Sequence, residues 1–287
     1  MKKSISMSIL IILLTAGTVL FQYFRYNDGR LHLIFCDVGQ GDAILIRTPK
    51  NKNILIDAGP GDKVLSCLSN HIPFWERKIS LAILTHPHND HFAGFSEVLK
   101  RYEVRAFGME ELENKTLGYK KLTQDINKNK INVNYLVEGD SFNTQDGVKL
   151  YVLAPSDEFL QRTSPNKMIG ETNEFSSLII HVSYGAFDAI LTGDSQVDQL
   201  KEALSIYGGT SVDIFQIPHH GSKTGIDREI LEDLKPGAAI ISVGKNRYGH
   251  PTSYVLDLLK SMEISVFRTD LMEDVEIAAD KNSWAIK

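Results

Sequence analysis

The chain has nine histidines in 287 residues, and three of them fall, together with an aspartate, between His86 and His91 in the stretch THPHNDH. Imidazole nitrogens and a carboxylate, with no thiolate among them, are the donor set of a catalytic zinc, manganese or iron site. The alternation of His86 and His88 lets both reach one ion, while Asp90 and His91 can point at a second. A solvated polar loop accounts for a lone His-x-His; it does not account for four ligand-type residues crowded at the end of an apolar run.

Other apolar runs end the same way. ILTGDS places Asp194 directly after a strand-like segment, where a carboxylate between two cations is the expected bridge. FQIPHHGS places His219 and His220 after another; neighbouring side chains diverge, so one of the two faces the metal, with His220 preferred. SVGKNRYGHPT carries His250 on a loop between Gly249 and Pro251, suited to substrate contact or proton transfer. Asp57 in ILIDAG can cap its own turn or support the metal loop by hydrogen bonding to a ligand. His32 and His181 lie within strand patterns and His71 at a helix end, and all three are read as structural.

These residues need a frame that collects strand ends. From Leu31 onward, short runs rich in Ile and Leu (LHLIFC, AILIRT, ILIDAG) alternate with Gly, Pro and Asn turns, the pattern of hairpin strands. A helix is expected over Asp62–His71 and a buried strand at ISLAILTH, followed by a helix near Phe95–Lys100, a strand at Val104–Phe107 and a helix near Leu117–Asn127. Strands follow at Val148–Leu153, Ser176–Ser183, Phe187–Leu191 and Val212–Ile217, with a helix over Gln196–Tyr207. The last third alternates: helix Arg228–Leu234, strand Ala238–Val243, helix Ser253–Met262, strand Ile264–Phe267. Asn127–Asn134 and Pro155–Glu174 read as surface loops. Strands followed by strand–helix alternation in each half imply a β-sandwich with helices outside, as one domain from about residue 30 to the end.

The first 25 residues are different. Ile5–Phe24 carries no charge over the length a helix needs to cross a bilayer. The apolar run continues past Thr15-Ala16-Gly17, unlike a cleavable signal, so an anchor is preferred over a signal peptide removed on secretion. Lys2 and Lys3 favour an inside N-terminus and an external body. Cys36 and Cys67 are compatible with export and do not define a disulfide framework. The chain carries a formal charge of −5, and its three charges before residue 26 are all positive, which leaves −8 on the body. Such a body does not hold nucleic acid by bulk electrostatics; local cations must do so. DVGQGDA has too few spaced glycines, and the wrong following element, for a dinucleotide loop, so no nucleotide cofactor is expected.

THPHNDH resembles the His-x-His-x-Asp-His signature of the metallo-β-lactamase superfamily, and LIDAG, LTGD and PHHGS occur in the order that superfamily uses. DVGQGDAILI, TNEFSSLIIHVSYG, PHHGSKT and SVGKNRYGHP further resemble the metallo-β-lactamase-like domain at the end of ComEC-type competence proteins and its free-standing relatives. The resemblance covers almost everything after residue 30. It implies an α/β fold, an αββα four-layer sandwich over residues 30–287, preceded here by one N-terminal hydrophobic helix (residues 1–25, signal anchor or signal peptide). It also implies a dinuclear site at the sandwich edge and hydrolysis by a metal-activated water. Many superfamily members supply a further histidine before the position of SSLII; this chain offers Glu171, Asn173 and Glu174, and Asn173 or water completes the site. One membrane segment, with neither a multi-span channel nor an oligonucleotide-binding domain, does not imply DNA transport.

The expected activity is that of a metal-dependent hydrolase, a phosphodiesterase or nuclease acting on DNA outside the membrane. Two divalent ions, Zn²⁺ or Mn²⁺, are held by His86 and His88 on one side and by Asp90, His91 and His219 or His220 on the other, bridged by Asp194. Asp90 also orients the nucleophile, and Ser222, Thr224 and His250 hold the phosphate or protonate the leaving oxygen. The rival readings are an envelope phosphoester (phosphocholine-type), lactone or amide hydrolase, and a metal-stabilised module without chemistry.

Overall fold

Short, mostly apolar runs of three to six residues, each closed by a turn, pair into two sheets whose central strands are buried on both faces. The computed structural model describes residues 2–170, 176–209 and 211–287. One sheet has eight strands in the order Trp284–Ile286, Val275–Ala279, Leu31–Phe35, Ile44–Arg47, Asn53–Ile56, Leu81–Leu84, Ala106–Met109 and Asn132–Tyr135. The other has seven, in the order Ser265–Arg268, Ala238–Ile241, Ile214–Gln216, Phe187–Leu191, Ile179–Tyr184, Lys149–Ala154 and Ser141–Asn143.

The strand period of two sorts the side chains into layers. Leu33, Phe35, Ile46, Ile56 and Ile83 meet Leu150, Val152, Ile180, Val182 and Ile214 between the sheets. The alternate residues Ile34, Leu45, Leu55, Ala82 and Leu84 pack outward against the helices Lys63–His71, Phe95–Val98 and Leu117–Lys128. On the other side, Ile190, Phe215, Ala239 and Ile241 lie under Val197–Tyr207, Arg228–Leu234 and Ser253–Ser261. Each such Ile or Leu contributes about 1.5–3 kcal/mol by leaving water, which confines most polar chemistry to the ends of the strands. The result is the helix–sheet–sheet–helix sandwich expected from the sequence.

Strand direction decides where those ends meet. Asn53–Ile56, Leu81–Leu84, Ala106–Met109 and Asn132–Tyr135 run parallel. So do Phe187–Leu191, Ile214–Gln216, Ala238–Ile241 and Ser265–Arg268. Parallel strands release their following loops on one edge, the usual place for a ligand site in such sheets.

Several expectations need correction. Asn132–Tyr135, read as part of a loop, is an edge strand held by parallel pairing with Ala106–Met109 despite its two asparagines. The polar stretch after Pro155 contains the helix Asp157–Thr163, whose first turn is capped by Ser156 Oγ accepting from the Phe159 amide. Val275–Ala279 and Trp284–Ile286 extend the first sheet beside Leu31–Phe35. Cys36 and Cys67 form a disulfide that joins the end of the opening strand to the helix Lys63–His71.

The N-terminal helix runs Lys2–Tyr26, and its segment Met7–Tyr26 is long and apolar enough to cross a membrane, with none of it covered by the body except near its end. At that end Tyr26 is buried, its hydroxyl meets Asn53, and the guanidinium of Arg47 lies over its ring.

Candidate metal centre

The strand Leu81–Leu84 delivers Thr85 and His86 to the sandwich edge, and the short helix Asn89–Phe92 turns Asp90 and His91 back toward them. The turn is held from below by Asp57, whose carboxylate accepts from the Thr85 amide at 2.8 Å and from the Thr85 hydroxyl at 2.7 Å. The same carboxylate accepts from His91 Nδ1 at 2.8 Å. Thr85 Oγ1 in turn lies 3.1 Å from His86 Nδ1. Asp57 therefore fixes one imidazole directly and a second through Thr85, in each case presenting Nε2 to the site.

Two glycines allow the neighbouring loops to close in. Gly41 has a φ of +146°, and a Cβ there would stand 2.2 Å from the Asp90 carbonyl oxygen. Gly193 has a φ of +49°, and a Cβ would meet Ser177 Oγ at 2.3 Å. Without a glycine at 193, Asp194 could not follow its strand so tightly into the centre.

Asp194 lies at the middle of the cluster. Its Oδ1 is 3.3 Å from His91 Nε2 and 3.5 Å from His220 Nε2, and its Oδ2 is 3.7 Å from His86 Nε2. His220 Nε2 is also 3.5 Å from Asp90 Oδ2, and His86 Nε2 is 2.9 Å from His88 Nδ1. Two groups of converging donors share Asp194: His86, His88 and Asp194, and Asp90, His91, His220 and Asp194.

The buried atoms His91 Nε2, His220 Nε2 and Asp194 Oδ1 form no hydrogen bond. Leaving such atoms unpaired costs about 1–3 kcal/mol each, and the 3.3 and 3.5 Å separations of Asp194 Oδ1 from the two nitrogens are close to the roughly 3.3 Å edge of a tetrahedron with metal–ligand bonds of about 2.0–2.1 Å. The donor set and its spacing thus fit divalent cations.

Electrostatics prepares His86, His88, Asp194 and Asp90 in the form a cation needs. At His91 and His220 burial is outweighed by the surrounding carboxylates, which hold those two imidazoles above their ordinary range, so that a bound cation would displace their protons. Burial drives His86 and His88 below the ordinary imidazole range, helped by the charge of His91 at His86. Burial works against ionisation of Asp194, but His220 and His91 outweigh it and hold the carboxyl well below its usual range. Burial also opposes the charge on Asp90, and the His220 imidazole 3.5 Å away, with the charge of His91, again reverses the balance.

The two adjacent histidines take different places. His219 and His220 both have left-handed backbone, with φ of +51° and +56°, and their rings diverge. His220 is buried, donates from Nδ1 to the Ser242 carbonyl at 2.9 Å, and turns Nε2 to Asp90 and Asp194. His219 is partly exposed, approaches Asp194 only to 3.8 Å, and packs its ring 5.5 Å from that of His250. His250 stands behind His219, its loop tied by Asn246, which accepts from the amides of Tyr248 and His250. Ser222 and Thr224 turn their hydroxyls to one another at 3.0 Å rather than into the donor cluster. Asn173 lies outside the described residues.

Sequence reasoning missed Asp42, buried beneath the centre with Oδ1 3.6 Å from His220 Nδ1 and Oδ2 accepting from Gln216 Nε2 at 2.8 Å. Burial raises its carboxyl to about 6. The signal was the carboxylate after Gly41 in GQGDA, the same strand-edge pattern that drew attention to Asp57. It also missed Ser177, whose hydroxyl touches His86 Nδ1 at 3.4 Å and accepts from the Asp194 amide at 3.2 Å. The structural histidines are each paired with carboxylates: His32 with Asp28 and Glu276, His71 with Asp274, His181 with Asp188.

Residues 36–156 match the family model of the metallo-β-lactamase superfamily. The fold is the metallo-β-lactamase fold. The chain is similar to ComE operon protein 3 of Bacillus subtilis, at 30% identity over 90% of this chain and 35% of that protein. It is also similar to Recombination protein 2 of Haemophilus influenzae, at 27% identity over 93% of this chain and 31% of that protein. The chain spans about a third of the length of these relatives. Among solved structures, the metallo-β-lactamase fold protein YhfI from Bacillus subtilis superposes with a TM-score of 0.57 at 14% identity, covering 90% of this chain and all of that one.

Proposed function

We propose that this metallo-β-lactamase fold chain is a membrane-anchored, metal-dependent phosphodiesterase that cleaves DNA outside the membrane. The observation that carries the hydrolase reading is the position of Asp194, whose two oxygens face different histidine groups with buried donors unpaired around it. In this reading His86, His88 and Asp194 would hold one divalent ion, and Asp90, His91, His220 and Asp194 would hold a second, Asp194 belonging to both donor groups. Such ions supply an acidified water and positive charge for the non-bridging oxygens of a phosphodiester. Asp90, partly open to solvent, orients the attacking water. Asp57, Asp42 and the Ser242 carbonyl keep the histidines facing inward. His250, aligned behind His219, is placed to give a proton to the leaving oxygen, and Ser222 and Thr224 border the approach.

Support for a nucleic-acid substrate comes from the loop that carries His250. Lys245 and Arg247 are exposed on it, Tyr248 is 76% exposed, and the Tyr248 ring leans over His250 with centroids 5.9 Å apart. Cations beside an open aromatic face suit a sugar-phosphate strand with stacking bases. They also provide the local charge that the acidic body lacks. The ComE operon and recombination names of its relatives agree with this substrate class.

The Cys36–Cys67 bond supports a body in an oxidising compartment, and the burial of Tyr26 against the body supports retention of the helix as an anchor. The acidic body equally suits a phosphocholine-type, lactone or amide substrate of the envelope. Turnover of single-stranded DNA, bis(p-nitrophenyl) phosphate and a homoserine lactone by the metal-loaded chain separates these readings. DNA cleavage that falls in Lys245→Ala/Arg247→Ala, with the small phosphodiester unaffected, supports the proposal; preference for the lactone overturns it.

A further inference from the structure

The edge of the sandwich opposite the metal centre gathers exposed aromatics and cations around the emerging N-terminal helix. Phe74 is 62% exposed and Trp75 41% exposed, an unusual pair for a loop facing water. Their rings pack edge to face at 4.9 Å, so they form one apolar projection. The loop bearing them lies along the helix: Ile72 and Pro73 share a groove with Thr18, Phe21 and Gln22. Trp75 shares a second groove with Tyr23 and Tyr26 of the helix and with Lys52, Lys78 and Arg105. Lys50 borders the same groove, and Glu76 is its acid.

We infer that this edge is a lipid-facing surface, with Phe74 and Trp75 seated at the bilayer interface and Lys50, Lys52, Lys78 and Arg105 against anionic headgroups. The inference rests on the anchor reading above and goes beyond it, since a helix alone does not fix how the body stands on the membrane. The argument is one of level. Thr18 and Phe21 belong to the apolar segment Met7–Tyr26 that is long enough to span, and the loop that packs beside them shares their depth. Aromatic side chains at that depth occupy the headgroup zone, where an amphipathic ring is favoured. Basic side chains just beyond it reach the headgroup phosphates of the leaflet on which the body stands by extending their long stems. The cluster is notable on a body whose net charge is −8.

This surface also sets the direction of the active edge. Asn53, which bonds Tyr26, opens the strand Asn53–Ile56, and Asp57 follows that strand beneath the donor cluster. Those four steps at about 3.3 Å each separate the two edges by roughly 13 Å. The centre therefore opens to the aqueous side and takes its substrate from solution.

Trp75 and Trp284 are the two tryptophans of the chain, which permits a direct test on the full-length protein. In a Trp284→Phe background, Trp75 is the sole emitter; in Trp75→Phe/Trp284→Phe, Leu20→Trp reports the helix alone. Each protein is reconstituted in phosphatidylcholine–phosphatidylglycerol vesicles with and without brominated acyl chains. The proposal expects brominated lipid to reduce Trp75 emission by roughly twofold. It also expects the loss to shrink when phosphatidylglycerol is replaced by phosphatidylcholine, a lipid dependence absent from Lys52→Gln/Lys78→Gln/Arg105→Gln. Quenching of the helix reporter without quenching of Trp75 overturns the surface while leaving the anchor intact. Quenching of neither overturns both, and Trp75 quenching that ignores headgroup charge overturns the role of the cations.

Discussion

The Asp57 carboxylate lies 2.8 Å from His91 Nδ1, on the side of the ring away from the donor cluster. Through Thr85 the same carboxylate reaches His86 Nδ1. One buried acid that lies outside both donor groups around Asp194 thus sets the direction of two histidines.

Asp57→Asn is expected to weaken metal binding by about 10–100-fold while leaving the fold in place, the usual cost of losing a group that orients a ligand. Competition with a chelator, read by metal content after gel filtration, measures the change. Affinity equal to that of the parent chain would contradict the assignment.

The adjacent histidines give a sharper contrast. His220→Ala removes a buried donor aimed at Asp90 and Asp194, and it is expected to leave about one ion per chain. His219→Ala is expected to retain both ions and to change turnover only. Elemental analysis of the two variants side by side checks this; equal metal loss in both would show that the rings are interchangeable.

Glu110 supplies a pH dependence independent of the metal ligands. It is buried, accepts from Ser176 Oγ at 2.6 Å, and burial together with the charge of Asp57 raises its carboxyl from the ordinary 4.5 to about 8 despite the Ser176 bond. Between these values the folded chain holds a proton that the unfolded chain releases. Its contribution to stability is therefore fully present below about pH 4.5 and is lost as pH rises through 8, by about 1.4 kcal/mol per pH unit in the window. Urea unfolding at several pH values should show this loss in the parent chain and its absence in Glu110→Gln. Parallel pH profiles would contradict a neutral Glu110.

The disulfide joins residues separated by 31 positions, and closing a loop of that size in the unfolded chain contributes about 2–4 kcal/mol. Cys36→Ser/Cys67→Ser should lower the denaturation midpoint correspondingly without altering metal content. An unchanged midpoint would mean that the bond does not form in the protein under study.

Much of the centre could be read from the sequence because its residues are concentrated and follow apolar runs. His86, His88, Asp90 and His91 share one loop, and Asp194 and His220 each follow a strand whose burial pattern is visible in its composition. Glu110 was not readable in this way: it is a single carboxylate whose importance comes from burial, and burial is set by strands far away in sequence; Asp42 carried only the weak signal of a carboxylate after Gly41. Val275–Ala279 escaped because Glu276 interrupts its apolar pattern; His32 and Lys287 pair with that carboxylate at 2.6 and 2.9 Å. The pairing of Cys36 with Cys67 is likewise tertiary, made when the helix Lys63–His71 folds onto the end of the opening strand.

The central claim is phosphodiester cleavage at the Asp194-centred site, and cleavage of end-labelled single-stranded DNA by the full chain tests it most directly. The assay compares Mn²⁺, Zn²⁺ and EDTA, with Asp90→Ala beside the parent chain. The account predicts cleavage that requires the added metal and disappears in Asp90→Ala while that variant remains folded. Metal demonstrably bound to the parent chain with no cleavage of DNA or of a small phosphodiester would contradict it.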